Sequence, residues 1–276
     1  MKLYNNTCFE CSKLITNKYS TSFSQGINAF DRSLRYPIYG IYGFVRYADE
    51  IVDTFHGYDQ QQLIGDFKEQ TFKAIEQRIG LNPVLQSFQL VVNEYEIDHK
   101  LIHDFLKSME MDLERKTFDG REYKAYIYGS AEVIGLMCLR VFCKNDNALY
   151  TQLMPSARKL GAALQKINFL RDIKADYQER GRIYFPDTDL DNFSDQVKKQ
   201  IEADIEKDLA EGFNGIRKLP KGARLGVYIA YTYYRQVLKK ISKTPANVIL
   251  RKRIRISDVA KSVLFFKAVL KAKLIL

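Results

Sequence analysis

Two sets of side chains are spaced to work on a charged ligand: Tyr42, Arg46, Asp49 and Asp53 within GIYGFVRYADEIVD, and Gln165, Asn168, Asp172 and Asp176 within LGAALQKINFLRDIKAD. At about 100° per residue on a helix, the second set falls at roughly 0°, 300°, 340° and 20°, and the first set is as narrow. Each set is therefore one helix face. The intervening Ile41, Phe44, Val45, Ile51 and Val52, and Leu164, Ile167, Phe169 and Ile173, are apolar, as helices packed in an interior require. Carboxylates on such helices are costly unless something positive meets them. Two of them about 4–6 Å apart repel by roughly 3–4 kcal/mol at an effective dielectric near 20, and a bridging cation reverses that sign.

Magnesium takes oxygen ligands, keeps several waters and joins a few carboxylates to substrate phosphates. Two acidic faces turned toward one cavity would hold several such ions, and these would hold a diphosphate. Arg46 before Asp49, and Arg171 beside Asp172, supply fixed positive charge for oxygens that the metals leave uncovered. The rest of such a cavity is apolar and aromatic, and ring faces stabilise carbocations without being alkylated. Tyr42, Tyr126, Tyr128, Phe23 and Phe30 are the candidates, with plain core packing as the bland reading of each.

The elements that must position these groups read as helices: Gln60–Ile79, Asn82–Tyr95, Lys100–Arg115, Lys124–Cys143, Leu149–Asp176, Asp195–Asn214 and Ala223–Ile241. Turn residues separate them at His56-Gly57, Gly80 to Pro83, Asp119-Gly120, Asn145-Asp146, Leu219 to Gly222 and Thr244-Pro245. Ser194 is a candidate N-cap. No run alternates in polarity for long enough to argue for a sheet, so the expected class is all-α. No linker or low-complexity run divides the 276 residues, and one domain over 1–276 is expected.

Four cysteines (Cys8, Cys11, Cys138, Cys143) and three histidines (His56, His99, His103) leave little for zinc or Ser-His chemistry. Cys8-x2-Cys11 alone is a weak metal signal, and free thiols in a reducing compartment are expected. The amino terminus MKLYNNTCFEC lacks the apolar centre of a signal peptide. No apolar run approaches the ~18 residues of a membrane span, Arg140 interrupting the best stretch, Val133–Cys143. A cytoplasmic protein is expected. Its net charge of +10 is unevenly placed: residues 217–276 hold 16 Lys and Arg against one acid, Asp258, so that this part carries +15 and the rest −5. Between Ser262 and Leu276 the bases alternate with VLFF, AVL and LIL. This basic amphipathic end, about 251–276, suits an anionic membrane surface better than nucleic acid, for which no role is expected. The plainer reading is a terminal helix docked on the body.

Over almost its whole length the chain resembles the squalene/phytoene synthases, which condense two prenyl diphosphates head to head. The most specific likeness is Leu160–Pro186, with G-x3-Q-x2-N-x2-R-D-x3-D followed by Arg182, Tyr184 and Pro186 in R-x-Y-x-P. YSTSFSQG (Tyr19–Gly26) resembles the amino-terminal S-x-S-F-S element, IYGFVRYADEIVD the first acidic helix, and YIYGSAEVIGLMC (Tyr126–Cys138) the central helix. ILRKRIRIS resembles the basic segment, with Arg251 or Arg253 facing phosphates and Arg253 preferred. Glu50 and Tyr19 depart from the common Asp and His, and Ile127 and Glu132 from small residues; Glu132 reads as a group that narrows or polarises one wall. Asp112, in SMEMDLERK, also lies in a stretch resembling the family, but an ion pair with Arg115 or Lys116 explains it as well.

The resemblance implies an isoprenoid-synthase-type helical bundle around a central cavity. Mg²⁺, or Mn²⁺, would be held by Asp49, Asp53, Asn168, Asp172 and Asp176, with Asp49, Asp53, Asp172, Asp176, Arg46 and Tyr42 as the catalytic set. Tyr19, Ser20, Thr21, Ser22, Tyr42, Arg46, Gln165, Arg171, Arg182, Tyr234 and Arg253 would bind substrate, Arg182 otherwise serving only as an ion pair. The preferred reaction is phytoene formation from two geranylgeranyl diphosphates without NADPH, the product passing to a membrane-bound desaturase. A farnesyl-using squalene or dehydrosqualene synthase is the alternative. A non-catalytic assembly factor of the same fold would have lost the aspartates, and all four are present.

Overall fold

Side-chain caps start several helices of the computed structural model, which describes residues 1–114, 117–186, 188 and 193–275. The helices are α1 (Lys2–Tyr19), α2 (Thr21–Asn28), α3 (Arg32–Thr54), α4 (Gln60–Gln77), α5 (Pro83–Tyr95), α6 (His99–Glu114), α7 (Gly120–Ile127), α8 (Val133–Cys143), α9 (Asn147–Gln178), α10 (Asp195–Ile216), α11 (Lys221–Ser242), α12 (Ala246–Ile249) and α13 (Asp258–Ile275). No strand occurs among the described residues, where an isolated parallel bridge joins Thr117 to Ile183. The all-α expectation holds. Arg115 and Lys116, the end of one expected helix and the suggested partners of Asp112, lie outside the described residues, as does Leu276.

Ser20 separates α1 from α2 by leaving the helical region, and its hydroxyl accepts the Phe23 N–H at 3.2 Å. Asp119 forms a capping box with Glu122 that starts α7. Asn82 caps α5 ahead of Pro83, and Ser194 caps α10 as its sequence position suggested.

The expected single helix Lys124–Cys143 is interrupted. Tyr128–Glu132 forms a π-helical turn between α7 and α8. Side chains at 126, 130, 134 and 138 all face one cavity. That four-residue repeat drifts on an α-helix of 3.6 residues per turn, and the wider π turn takes up part of the drift. The turn also packs against α9, where Gly161 makes the close approach possible: a Cβ there would lie 2.6 Å from the Ala131 carbonyl oxygen.

Gly120–Cys143 is, contrary to the sequence reading, long and apolar enough to cross a membrane, with mean hydropathy 1.4, yet 67% of its apolar window is buried inside the protein. It is the central helical run of the fold. Two apolar clusters form the core. One joins α2 to α6 with α8, around Phe44, Phe88 and Phe105; the other joins α7 and α9 to α13, around Phe169, Leu170, Ile205 and Ile241. Residues of both clusters line the cavity. The terminal helix α13 is docked, burying Ala268 and Ala272.

Candidate active site

Every residue assigned in the sequence to the catalytic, substrate-binding or metal-binding set lines one cavity of about 1020 Å³. From α3 come Tyr42, Arg46, Asp49 and Asp53; from α9 come Gln165, Asn168, Arg171, Asp172 and Asp176. Tyr19 to Ser22 enter from the α1–α2 junction, Tyr234 from α11, and Arg253 from the segment before α13. Both helical stripes thus face the same space.

Arginines stand between the carboxylates. Arg182 is buried, and its guanidinium donates to Asp53 at 2.8 Å and to the Val52 carbonyl at 3.2 Å, while lying 3.7 Å from Asp112. Arg180, which the sequence reading passed over, reaches both jaws: Asp53 at 3.5 Å and Asp176 at 3.1 Å. Asp172 is held by Arg171 and by Arg253, each at 2.6 Å. Of the two candidate arginines of the basic segment, Arg253 lines the cavity, as Arg255 does, whereas Arg251 is exposed and does not. Arg46 pairs with Glu50, lies 3.8 Å from Asp49, and stacks over the Tyr19 ring at 4.3 Å. Thr21 accepts a hydrogen bond from Lys261 Nζ at 2.9 Å, a contact from the first turn of α13 that no sequence pattern announced.

Three expectations are corrected. Asp112 is buried rather than a surface ion-pair partner: its carboxylate accepts from Tyr126 at 2.7 Å and from Tyr184 at 3.0 Å. Glu132 does not line the cavity; it pairs with Arg158 at 2.6 Å, because the π turn rotates it toward α9. Tyr128 also lies outside the cavity, under the Arg158 guanidinium at 5.1 Å. Tyr42, Tyr126, Phe23 and Phe30 do line it, Phe23 packing between Tyr42 and Tyr234.

Electrostatics follow from this crowding. Burial, with repulsion from Asp53, Asp112 and Glu50, pushes the Asp49 carboxyl up to about 7 against the opposing pull of Arg46. Burial and repulsion from Asp172 and Asp53 push Asp176 up to about 7 despite Arg180 and Arg182. Burial raises Asp112 to about 6, although Arg182 and the tyrosine hydroxyls favour its anion. Burial, then Asp49, takes the Tyr42 hydroxyl up to about 12, so it stays protonated at neutral pH.

The chemistry of this wall fits a divalent cation and an oxyanion. Asn168 Oδ1 and Arg46 Nε are buried without hydrogen-bond partners, an acceptor for a cation and a donor for a phosphate oxygen. Burial first, and neighbouring carboxylates after it, disfavour the anions of Asp49 and Asp176, an imbalance that a bound cation would offset. No three acidic, His or Cys side chains are gathered into a ready-made cluster among the described residues; arginines stand between the carboxylates, Arg180 pairing with Asp53 and Asp176. Cys8, Cys11, Cys138 and Cys143 are all free thiols. Beyond the charged end the lining is apolar, through Ile27, Phe30, Leu139, Phe142, Leu153 and Leu219.

An all-α bundle with two acidic helix faces, arginines and an apolar cavity defines a class of protein that handles a diphosphate attached to a hydrocarbon. Residues 16–259 match the squalene/phytoene synthase family, and the chain belongs to it. Among its relatives, the phytoene synthase of Arthrospira platensis is 28% identical over 270 residues, covering 87% of this chain and 85% of that one. The 4,4'-diapophytoene synthase of Staphylococcus haemolyticus is 26% identical over 196 residues, 69% of this chain and 66% of that relative. In fold, the chain is similar to a dehydrosqualene synthase solved in complex with a ligand, with a TM-score of 0.83, 22% identity and 98% of each chain covered. It is also similar to the squalene synthase HpnC from Alicyclobacillus acidocaldarius, with a TM-score of 0.75, 19% identity, and 87% of this chain and 94% of that one covered.

Proposed function

We propose that this prenyltransferase-type enzyme, acting as a single catalytic domain, joins two geranylgeranyl diphosphates head to head through a cyclopropylcarbinyl diphosphate to give phytoene, a step in carotenoid biosynthesis. The observation that carries the reading is the meeting of both D-x3-D faces at one end of a cavity whose other end is apolar. Asp49, Asp53, Asn168, Asp172 and Asp176 would hold Mg²⁺, or Mn²⁺. Bound there, the metal supplies Lewis-acid assistance to diphosphate departure.

The chain's own groups do the rest. Arg46, Arg171, Arg182 and Arg253 offer N–H groups to diphosphate oxygens, and Tyr19, Ser20, Thr21, Ser22, Gln165 and Tyr234 add neutral donors. Tyr42, protonated at neutral pH, donates its hydroxyl while its ring, beside Phe23, faces the developing allylic cation. The apolar lining excludes water, so the double bond of the second substrate captures the cation, and loss of a proton closes the cyclopropane ring. The cyclopropylcarbinyl diphosphate then ionises, rearranges and loses a proton. None of the three histidines lines the cavity, which leaves a tyrosine hydroxyl or the released diphosphate as the proton acceptor. No NADPH is consumed. The four free thiols support a cytoplasmic setting, from which the hydrocarbon passes to a membrane-bound desaturase.

The competing reading, two farnesyl diphosphates joined to a C30 product, draws on the staphylococcal relative's name. Incubating the purified protein and Mg²⁺ with either diphosphate, with and without NADPH, and identifying the hydrocarbon separates the two. Phytoene from the C20 substrate alone is expected. A C30 hydrocarbon only would replace the substrate, and no hydrocarbon from either would remove the reaction. Asp49→Asn and Asp172→Asn are each expected to lower turnover by about a hundredfold or more with an unchanged helical circular-dichroism spectrum. Near wild-type rates in both would sink the assigned roles.

A further inference from the structure

The outer side of α13 carries an apolar stripe that the catalytic reading does not use. Val259, Val263, Phe266 and Leu270 are 77%, 47%, 66% and 67% exposed. At about 100° per residue they fall within roughly 60° of one another on the helix. Ala268 and Ala272, the buried residues of the same helix, lie on the opposite side. The helix is therefore satisfied on its inner face, and the outer stripe is not part of its docking. Exposed hydrophobic residues scattered singly are ordinary, but four aligned along a helix are a contact surface. Lys267 and Lys271, both exposed, flank the stripe on one side.

We propose that this outer face is a docking surface for an anionic lipid bilayer. An apolar ridge beside exposed lysines is the pattern of a helix lying in the headgroup layer. The stretch that carries this face has the right sign, since residues 217–276 hold 16 Lys and Arg against one acid, and exposed basic groups are drawn to anionic lipid. A second copy of the chain is the less suitable occupant. Stable protein interfaces take roughly 20–30 residues a side, and their centres are depleted in lysine. The geometry also ties the surface to the cavity. Lys261, in the first turn of the same helix, lines the cavity and donates to Thr21 at 2.9 Å. A protein docked through α13 would thus bring the cavity mouth close to the membrane, where an apolar product leaves without crossing water. The docking itself is independent of which diphosphate is used and is measured without substrate.

The test is co-sedimentation of the full chain with phosphatidylcholine vesicles that contain or lack phosphatidylglycerol. Binding is expected to the anionic vesicles and to fall at high salt. The double variant Phe266→Glu/Leu270→Glu is expected to bind about tenfold or more weakly, by lost burial and added repulsion. Lys267→Glu/Lys271→Glu should weaken binding and blunt its salt dependence. Circular dichroism and thermal melting of both variants should match the wild type, because the altered side chains face solvent. Wild-type binding that is absent, or unchanged in the Phe266→Glu/Leu270→Glu variant, overturns the proposal. So does a dimer in sedimentation velocity that this variant dissociates while vesicle binding is absent.

Discussion

Single residues in this site are set against one another by charge. Asp49 and Asp176 face guanidinium groups and yet have carboxyl pKa values pushed up to about 7, because burial and neighbouring carboxylates outweigh the arginines. A raised folded-state value means that the protonated form is favoured. These two groups therefore cost no stability at low pH, and they cost progressively more as the pH climbs from their ordinary value, 3.8, to about 7. Above that the cost is constant. In the presence of a chelator, Asp49→Asn is expected to raise Tm at pH 8 by roughly 2–4 °C and to change it little at pH 4. Equal effects at both pH values would contradict the assignment. A bound divalent cation reverses the balance by favouring the anions, so metal binding near pH 7 should release protons, seen as a calorimetric heat that changes with buffer ionisation enthalpy. The stripes themselves were legible in the sequence because helical periodicity is local. The reach of Arg180 to Asp53 and of Asp112 to Tyr184 was not, since those partners lie far along the chain.

Elements obey the same division between local and distant causes. The all-α class, the caps at Asn82 and Ser194, and the breaks at Asp119-Gly120 and Asn145-Asp146 follow from residues within a turn of each boundary. The π turn at Tyr128–Glu132 does not, because apolar periodicity across Lys124–Cys143 reads equally well as one continuous helix. The turn packs against α9, and its consequence is not visible in the local sequence. Glu132 was expected in a cavity wall, whereas the turn delivers Ser130 and Ala131 to the cavity and Glu132 to Arg158. Gly161 is the residue on which this packing rests, since a Cβ there would meet Ala131 O at 2.6 Å and its carbonyl carbon at 3.1 Å. Backbone cannot swing aside as a side chain does. Gly161→Ala is expected to destabilise the protein by about 1–3 kcal/mol in urea titration despite the better helix propensity of alanine. Because Gln165 and Asn168 follow one and two turns later on the same face, turnover should fall as well. A gain in stability would show that α9 and the π turn have room to separate.

For the molecule as a whole, the open question after the family is settled is how long a hydrocarbon the cavity accepts, and α9 provides the ruler. Asp172 stands at the charged end and Leu153 at the apolar end of the same helix, about 28 Å apart along its axis by residue count. Sequence patterns do not carry this dimension, because the far wall is assembled from the ends of α8 and α9, the segment after α2, and the α10–α11 connection. Its aromatic element is the contact of Phe30 with Phe142, ring centroids 5.1 Å apart, both lining the cavity beside Leu139, Leu153 and Leu219. Neither ring belongs to the acidic stripes or their arginines, so shortening one alters depth and leaves the charged end intact. Phe142→Ala would lengthen the apolar space, at a stability cost of about 3–5 kcal/mol if the void stays empty. A longer chain that fills the void recovers part of that loss on binding. In competition between farnesyl and geranylgeranyl diphosphates, the variant's ratio of kcat/KM values is therefore expected to move toward the longer substrate by about tenfold, the scale on which apolar pockets discriminate chain length. An unchanged ratio in a folded variant would mean that the substrates end before they reach Phe142, and that the chain-length limit lies nearer the acidic stripes.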